Sequence, residues 1–268
     1  MENKKIGLIA GKGRIPAVLA QSMKKNGLEI TAITTDKDAN AELKEYTDKV
    51  YNFAPTQIGK IISKLKDEKI KEVVMVGKVE KALLYKNLRF DLRSIKLLSR
   101  LKDRQDATIL LAIVDELAGE GIEVLPQTKY LSHLLFPPGT LTKRKPNENE
   151  KEDILFGMRI VEKIAESDIS QTVIVKNKAI LAIEAIEGTT EAIRRGMSMA
   201  KDAVVIKTSK KNQDHRFDIA TVGTETVKVM IEGKAGCLAI KAGRTFLVDK
   251  EETVKMADKA GISIVVAE

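Results

Sequence analysis

Short apolar runs alternate with amphipathic segments along the first 125 residues. Residues 5–10 form an apolar run that predicts a buried strand, and residues 15–25 repeat apolar side chains at helical spacing. A second apolar run at 28–34 resumes as a strand. The same order continues with predicted strands at 49–53, 72–77 and 122–125 and predicted helices at 56–67 and 106–119. This alternation is typical of a parallel sheet covered by helices. We therefore predict an α/β fold with a first domain over residues 1–128.

The second half of the chain carries a different pattern. Residues 172–175 and 179–185 are apolar runs rich in β-branched side chains on either side of the short turn 176–178, which predicts an antiparallel hairpin. Further helices are predicted at 150–166, 191–199 and 226–233, and further strands at 203–207, 237–241, 245–248 and 262–266. We predict a second α/β domain with a mixed sheet over residues 150–268. Residues 129–149, which are rich in proline and basic side chains, are predicted to be a linker or crossover between the domains.

Composition narrows the class of protein. The chain of 268 residues has 46 basic and 38 acidic side chains and a net charge of +8, a mixed-sign surface that argues against a nucleic-acid binder. The single cysteine, Cys237, excludes an intramolecular disulfide and favours a reducing cytoplasm. Cys237 opens an apolar run, which predicts a buried strand residue. No apolar run is long enough for a membrane-spanning helix.

Residues 212–223 concentrate most of the candidate chemistry. Asp214 and Asp218 are four residues apart and share a face in either a helix or a strand, and Arg216 joins them if the segment is extended. His215 and Phe217 would then point the other way, which favours a structural role for His215. Two carboxylates with a cation between them can hold a divalent metal, activate a water and face a phosphate. A surface turn with local ion pairs is the alternative.

A glycine turn follows the first predicted strand. Gly11, Lys12 and Gly13 precede a helix, where backbone N–H groups and the helix dipole favour an anion. Pro16 occupies the position of the third glycine of the dinucleotide fingerprint, so an NAD(P)-dependent oxidoreductase is disfavoured. A simple tight turn remains the alternative to ligand binding.

Residues 81–104 carry most of the net charge. Eight basic and two acidic side chains alternate there with leucines and isoleucines, which predicts a basic amphipathic helix. Such a helix can lie on anionic lipid headgroups or line a pocket for an acylated anion. A core-facing helix with a solvated basic face is the alternative.

Several long motifs, in order, resemble one known family. They are GLIAGKGRIP at 7–16, DATILL at 106–111, DISQTVIV at 168–175, AIEAIEGTT at 182–190, QDHRFD at 213–218 and TVG at 221–223 with Thr226. In these motifs the chain resembles the LpxI family, the UDP-2,3-diacylglucosamine pyrophosphatases of lipid A biosynthesis. It departs from the family pattern at Ser170, Thr190 and Ile219-Ala220.

The resemblance implies a Rossmann-like N-terminal domain, a homodimer, and Mg²⁺-dependent cleavage of UDP-2,3-diacylglucosamine to UMP and 2,3-diacylglucosamine 1-phosphate. It implies a cytoplasmic protein at the surface of the inner membrane. Carried onto this sequence, the metal ligands are Asp218 and Asp214, and Arg216 and Lys207 stabilise phosphate charge. Expected substrate-binding residues are Gly11, Lys12, Gly13, Gly77, Lys78, Thr189, Gln213 and Thr226. The basic segment 81–104 is the expected wall for the acyl chains. A non-catalytic sensor of nucleotides or nucleotide-sugars is the alternative function.

Overall fold

The computed structural model of the chain describes residues 4–35, 40–79, 90–103 and 105–268. These residues form two compact units. The first runs to Ser132 and also contains Asp214–Asp218, and the second consists of His133–Gln213 and Ile219–Glu268. Residues 81–89 and 104 of the basic segment predicted at 81–104 lie outside the described residues.

The first unit is built on a parallel sheet with the strand order β3-β2-β1-β4-β5. The central strands are apolar on both faces, and Ile6, Leu8 and Ala10 of β1 are fully buried. This is the pattern expected when helices cover both faces of a parallel sheet. The strands are β1 (Lys5–Ala10), β2 (Glu29–Thr34), β3 (Lys49–Asn52), β4 (Glu72–Val76) and β5 (Glu123–Val124), and the helices are α1 (Ile15–Lys25), α2 (Asn40–Tyr46), α3 (Ile58–Asp67), α4 (Leu92–Ser99), α5 (Asp106–Ala118) and α6 (Thr128–Leu131). The predicted α/β class is confirmed.

The core of the first unit includes one residue from the second half of the chain. Phe217 is buried among the apolar side chains that α3, β4 and α5 contribute, and only 4% of it is exposed. Burying an aromatic ring of this size contributes several kcal/mol, on the order of 3–5 by the cost of its truncation. Phe217 therefore fixes the acidic segment around it to the first unit.

The second unit has a mixed sheet with the strand order β6-β13-β11-β9-β7-β8. Strands β13, β11 and β9 are parallel, whereas β6, β7 and β8 pair antiparallel with their neighbours. The predicted hairpin is β7–β8, and β10 and β12 form a separate parallel pair. The strands are β6 (Gly139–Thr140), β7 (Thr172–Lys176), β8 (Ala179–Ile183), β9 (Val204–Lys207), β10 (Ala220–Val222), β11 (Cys237–Lys241), β12 (Thr245–Leu247) and β13 (Ser263–Ala267), and the helices are α7 (Glu148–Glu166), α8 (Thr189–Met199), α9 (Thr224–Glu232) and α10 (Lys250–Ala260). The mixed sheet is confirmed.

The start of α7 is fixed by an ion pair between the partly exposed Arg144 and the buried Glu150. Arg144 donates to Glu150 Oε1 at 2.8 Å and to the Gly236 carbonyl at 3.2 Å. Glu150 also accepts from the Asn147 backbone N–H and closes a capping box. Glu150 is only 4% exposed. These contacts hold the basic stretch before α7 against the second unit.

Two smaller expectations concern the interior and the membrane. Cys237 is fully buried, as predicted for a strand residue, and burial raises the pKa of its thiol. In the part of the chain that the structure describes, no helix has both the length and the apolar character needed to cross a bilayer.

Candidate active site

Two glycine turns lie at the point where the strand order of the first sheet reverses. β1 and β4 are neighbours in the sheet. After β1 the chain continues to β2 and β3 on one side of β1, and it then forms β4 and β5 on the other side. Gly11, Lys12 and Gly13 follow the carboxyl end of β1, and Gly77 and Lys78 follow that of β4. Ligands of open parallel sheets bind at such a switch point. The fold therefore brings these five predicted substrate-binding residues together.

The two turns approach each other closely. The Gly11 N–H donates to the Val76 carbonyl at 2.8 Å, and the Lys12 N–H donates to the Lys78 carbonyl at 2.8 Å. A side chain at Gly11 would place its Cβ 2.5 Å from the Lys78 carbonyl oxygen, so the crossing requires glycine. The N–H groups of Gly11 and Lys12 already donate to these carbonyls. We therefore expect an anion to contact backbone N–H groups after Lys12, at the beginning of α1.

The acidic segment is neither a helix nor a strand but a turn with a local ion pair, which is the alternative that the sequence left open. Its closing contact is the Phe217 N–H to the Asp214 carbonyl at 3.4 Å. The Asp214 carboxylate accepts from the Arg216 guanidinium, with Nη2 to Oδ2 at 2.6 Å and Nε to Oδ1 at 3.0 Å, and from the Arg216 backbone N–H at 3.0 Å. The Arg216 side chain lowers the pKa of Asp214, and partial burial opposes this shift. Asp214 and Arg216 therefore act as one rigid ion pair.

Asp218 ends this turn in an unusual backbone conformation. Its φ is 53°, in the left-handed region, and its side chain is exposed. That region costs most L-residues about 1–2 kcal/mol, less for Asp and Asn. The buried ring of Phe217 immediately before it holds the backbone in place. The turn thus presents the Asp218 carboxylate on the surface of the first unit.

Gln127 connects the acidic turn with β4. Its backbone N–H donates to the His215 carbonyl at 2.7 Å, and its side chain donates to the Met75 carbonyl near the end of β4 at 2.6 Å. Gln127 is 3% exposed, so both bonds are shielded from water. The side chain of His215 is exposed, and its backbone makes the structural contact. The acidic turn and the strand that leads into Gly77 are therefore joined through one buried residue.

The residues present fit a magnesium ion only in part. Among the residues that the structure describes, no group of three or more His, Cys, Asp or Glu side chains could hold a metal ion. Mg²⁺ is commonly held by one or two carboxylates together with substrate phosphates. The exposed Asp218 suits such a site. Asp214 suits it poorly while Arg216 occupies both of its oxygens.

A second group of predicted residues lies in the second unit. Lys207 ends β9, is 5% exposed, and donates from Nζ to Thr189 Oγ1 at 2.6 Å. Thr189 begins α8 and donates to Glu184 Oε1 at 2.9 Å. Thr226 lies in the first turn of α9, and the Gln213 N–H donates to the Lys210 carbonyl at 3.2 Å. The structure thus brings Lys207 and Thr189 into contact and gives no such contact for Thr226.

Sequence reasoning assigned no role to Gln127 or Glu184. Gln127 acts partly through its backbone N–H, which leaves no signal in the residue pattern. Glu184 offers a weak signal, because it is an acidic residue directly after the apolar strand β8 and shortly before the helix-starting Thr189.

Comparisons with known proteins cover nearly the whole chain. Residues 5–134 match the family model described as the LpxI N-terminal domain, and residues 137–265 match the LpxI C-terminal domain. The UDP-2,3-diacylglucosamine pyrophosphatase LpxI of Caulobacter vibrioides is 28% identical over 97% of this chain and 96% of its own length.

Resemblance to solved structures is weak. The biotin carboxylase subunit of pyruvate carboxylase overlaps with 68% of this chain at 12% identity and a TM-score of 0.30, and the overlap spans 38% of that structure. An N5-carboxyaminoimidazole synthetase from Staphylococcus aureus gives 15% identity over 64% of this chain and 38% of its own, with a TM-score of 0.26. Scores this low carry no argument about function.

Proposed function

Because the chain belongs to the LpxI family, we propose that it hydrolyses UDP-2,3-diacylglucosamine to UMP and 2,3-diacylglucosamine 1-phosphate in lipid A biosynthesis. The observation that carries this proposal is the match of both family regions, in order, along almost the entire chain. A curated relative that aligns end to end bears the name of this activity.

Hydrolysis of the diphosphate requires that its negative charge be neutralised and that the attacking water be positioned. The water oxygen attacks one phosphorus of the diphosphate, the bridging P–O bond breaks, and the bridging oxygen leaves with the other phosphate. Most of the catalysis of such a step comes from positioning and electrostatic stabilisation. In this proposal Asp218 orients the water, and Lys207 and Arg216 stabilise the negative charge. Asp214 keeps the guanidinium of Arg216 oriented, because it binds both Nε and Nη2.

We propose that the reaction depends on Mg²⁺ held by Asp218 and the substrate phosphates. The ion would neutralise phosphate charge. Asp214, the other ligand expected from the sequence, would contribute only after releasing Arg216. Dependence is tested by measuring UMP release with Mg²⁺, with EDTA, and with EDTA followed by excess Mg²⁺.

The expected experiment compares wild type with Asp218→Asn on UDP-2,3-diacylglucosamine in detergent micelles. Wild type should release UMP and 2,3-diacylglucosamine 1-phosphate in equal amounts, and Asp218→Asn should not. Wild-type binding of UDP-sugars without any turnover would instead support the sensor function.

We further propose that the protein acts in the cytoplasm at an anionic membrane surface, through α4. Leu92 and Ile95 are 86% and 53% exposed on this helix, and Lys96 and Arg100 are exposed beside them. Apolar and cationic side chains on one short helix suit the lipid headgroup region. Co-sedimentation with phosphatidylglycerol vesicles should fall in Leu92→Glu and stay unchanged in Lys151→Glu, on α7.

A homodimer is also proposed, on the family resemblance alone. Sedimentation velocity at micromolar concentration should give the mass of two chains, and a single-chain mass would contradict it.

A further inference from the structure

Three polar side chains in the second unit form an ordered chain of hydrogen bonds. The Lys207 ammonium has no acceptor lone pair, so the Thr189 hydroxyl must accept from it and give its own proton to Glu184. The distances are 2.6 Å and 2.9 Å. Lys207 and Thr189 are each 5% exposed. The direction of both bonds is therefore fixed, with Glu184 Oε1 as the final acceptor.

The carboxylate of Glu184 is held at a cost. Its Oε2 atom is buried and has no hydrogen-bond partner within the described part of the chain. Burying a carboxylate oxygen without a partner destabilises a fold. The negative charge of Glu184 offsets that of the Lys207 ammonium, which is itself buried, so the two charged groups serve one role.

The position of Lys207 indicates that role. It ends β9, and the loop that follows leads through Thr208 and Ser209 to the acidic turn. A lysine side chain is flexible and presents a point charge, so its direction must be set by its surroundings. We infer that Glu184 is a positioning residue: through the Thr189 hydroxyl, it holds the Lys207 ammonium in the orientation that meets the diphosphate of the substrate. This inference rests on the proposed function.

The test measures binding of inorganic pyrophosphate by calorimetry and UMP release, both on the full chain. Lys207→Met should weaken pyrophosphate binding on the order of tenfold or more, as expected for a lost charged hydrogen bond. Glu184→Leu and Thr189→Val should weaken it by a similar factor. Glu184→Gln, whose amide oxygen can still accept from Thr189, and Thr189→Ser, which keeps a hydroxyl, should lose less. Glu187→Gln is the matched control, because Glu187 lies in the same loop and pairs with Arg195. It should bind pyrophosphate like wild type.

A double variant separates positioning from general damage. Glu184→Leu should add no loss in a Lys207→Met background, because its effect passes through the ammonium. Unchanged pyrophosphate affinity in Glu184→Leu, additive losses, or no wild-type binding of pyrophosphate at millimolar concentration would each overturn the inference.

The two proposals fail separately. Coupled losses of pyrophosphate binding without UMP release by wild type would refute the hydrolase and support the positioning role. UMP release by wild type with unchanged pyrophosphate affinity in Glu184→Leu would support the hydrolase and refute the positioning role.

Discussion

Asp218 allows stability and activity to be separated in one position. Its φ of 53° lies in the left-handed region, which glycine adopts without strain and asparagine adopts more readily than most residues. We expect Asp218→Asn to keep the backbone conformation and change the free energy of unfolding by less than about 0.5 kcal/mol. Asp218→Gly should relieve roughly 1–2 kcal/mol of backbone strain, or less because aspartate tolerates this region. The greater freedom of glycine in the unfolded chain costs about 0.4–1 kcal/mol. The net gain is therefore between zero and about 1 kcal/mol, or at most roughly 2–4 °C in melting temperature.

The activity should move the other way. Both variants lack the carboxylate that orients the water in the proposed mechanism, so UMP release should fall by about 10²–10⁴-fold. Asp202 provides the matched control. Its φ is 55°, its side chain is exposed, and it lies in the turn before β9, at the opposite end of that strand from Lys207. Asp202→Asn and Asp202→Gly should show the same small stability changes and wild-type turnover.

Calorimetry and a UMP-release assay on the same preparations decide the matter. Near wild-type turnover in Asp218→Asn would refute the assigned mechanism. A drop of more than about 2 kcal/mol in its stability would show that the carboxylate serves the fold instead, since surface changes rarely reach that size.

Three further predictions concern the contacts around this site and the start of α7. Arg216→Ala should raise the pKa of Asp214 toward its ordinary value. Because that pKa is lowered in the fold, the ion pair stabilises the protein above about pH 4, by roughly 1 kcal/mol or less at this exposure. Wild type should lose this contribution as the pH falls through the pKa that Asp214 has in the folded protein. Thermal unfolding at pH 3 and pH 7 checks this, and an equal Arg216→Ala deficit at both would contradict it. Phe217→Ala should lower the free energy of unfolding by about 3–5 kcal/mol and reduce UMP release, whereas Phe217→Leu should lower it by less. If urea titration showed Phe217→Ala to be as stable as wild type, the ring would not anchor the turn. Glu150→Ala should lower the free energy of unfolding by about 1–3 kcal/mol, because the partly exposed Arg144 loses its carboxylate partner and α7 its capping box. A loss of stability in urea unfolding together with unchanged turnover would confirm a purely structural role.

Local patterns were sufficient for most of the fold. The apolar run of β1 and the helical spacing of α1 gave both elements their observed bounds, because each buries its apolar side chains against neighbours close in sequence. The hairpin β7–β8 was predictable for the same reason. The acidic turn was expected only as an alternative to a helix or strand. Its shape depends on the Arg216 backbone N–H bonding the Asp214 carboxylate, a local alternative to regular structure that periodicity does not report.

The candidate site depended more on contacts distant in sequence. Phe217 packs in a core whose other members precede it by more than ninety residues, and a lone aromatic in a polar stretch carries no sign of that destination. The chain from Glu184 to Lys207 spans a strand end, a helix start and another strand end. The acidic motif could be identified from the family resemblance, but the residues that hold it in place, such as Gln127, could be identified only from the fold.

The five residues Asp214–Asp218 make the first unit depend on a distant part of the chain. They lie within the C-terminal family region, yet they complete the interior of the unit formed mainly by the N-terminal region. A truncated protein that ended at residue 132 would lack Phe217 and would have a hole where its ring belongs. The first unit is therefore not a self-sufficient folding module.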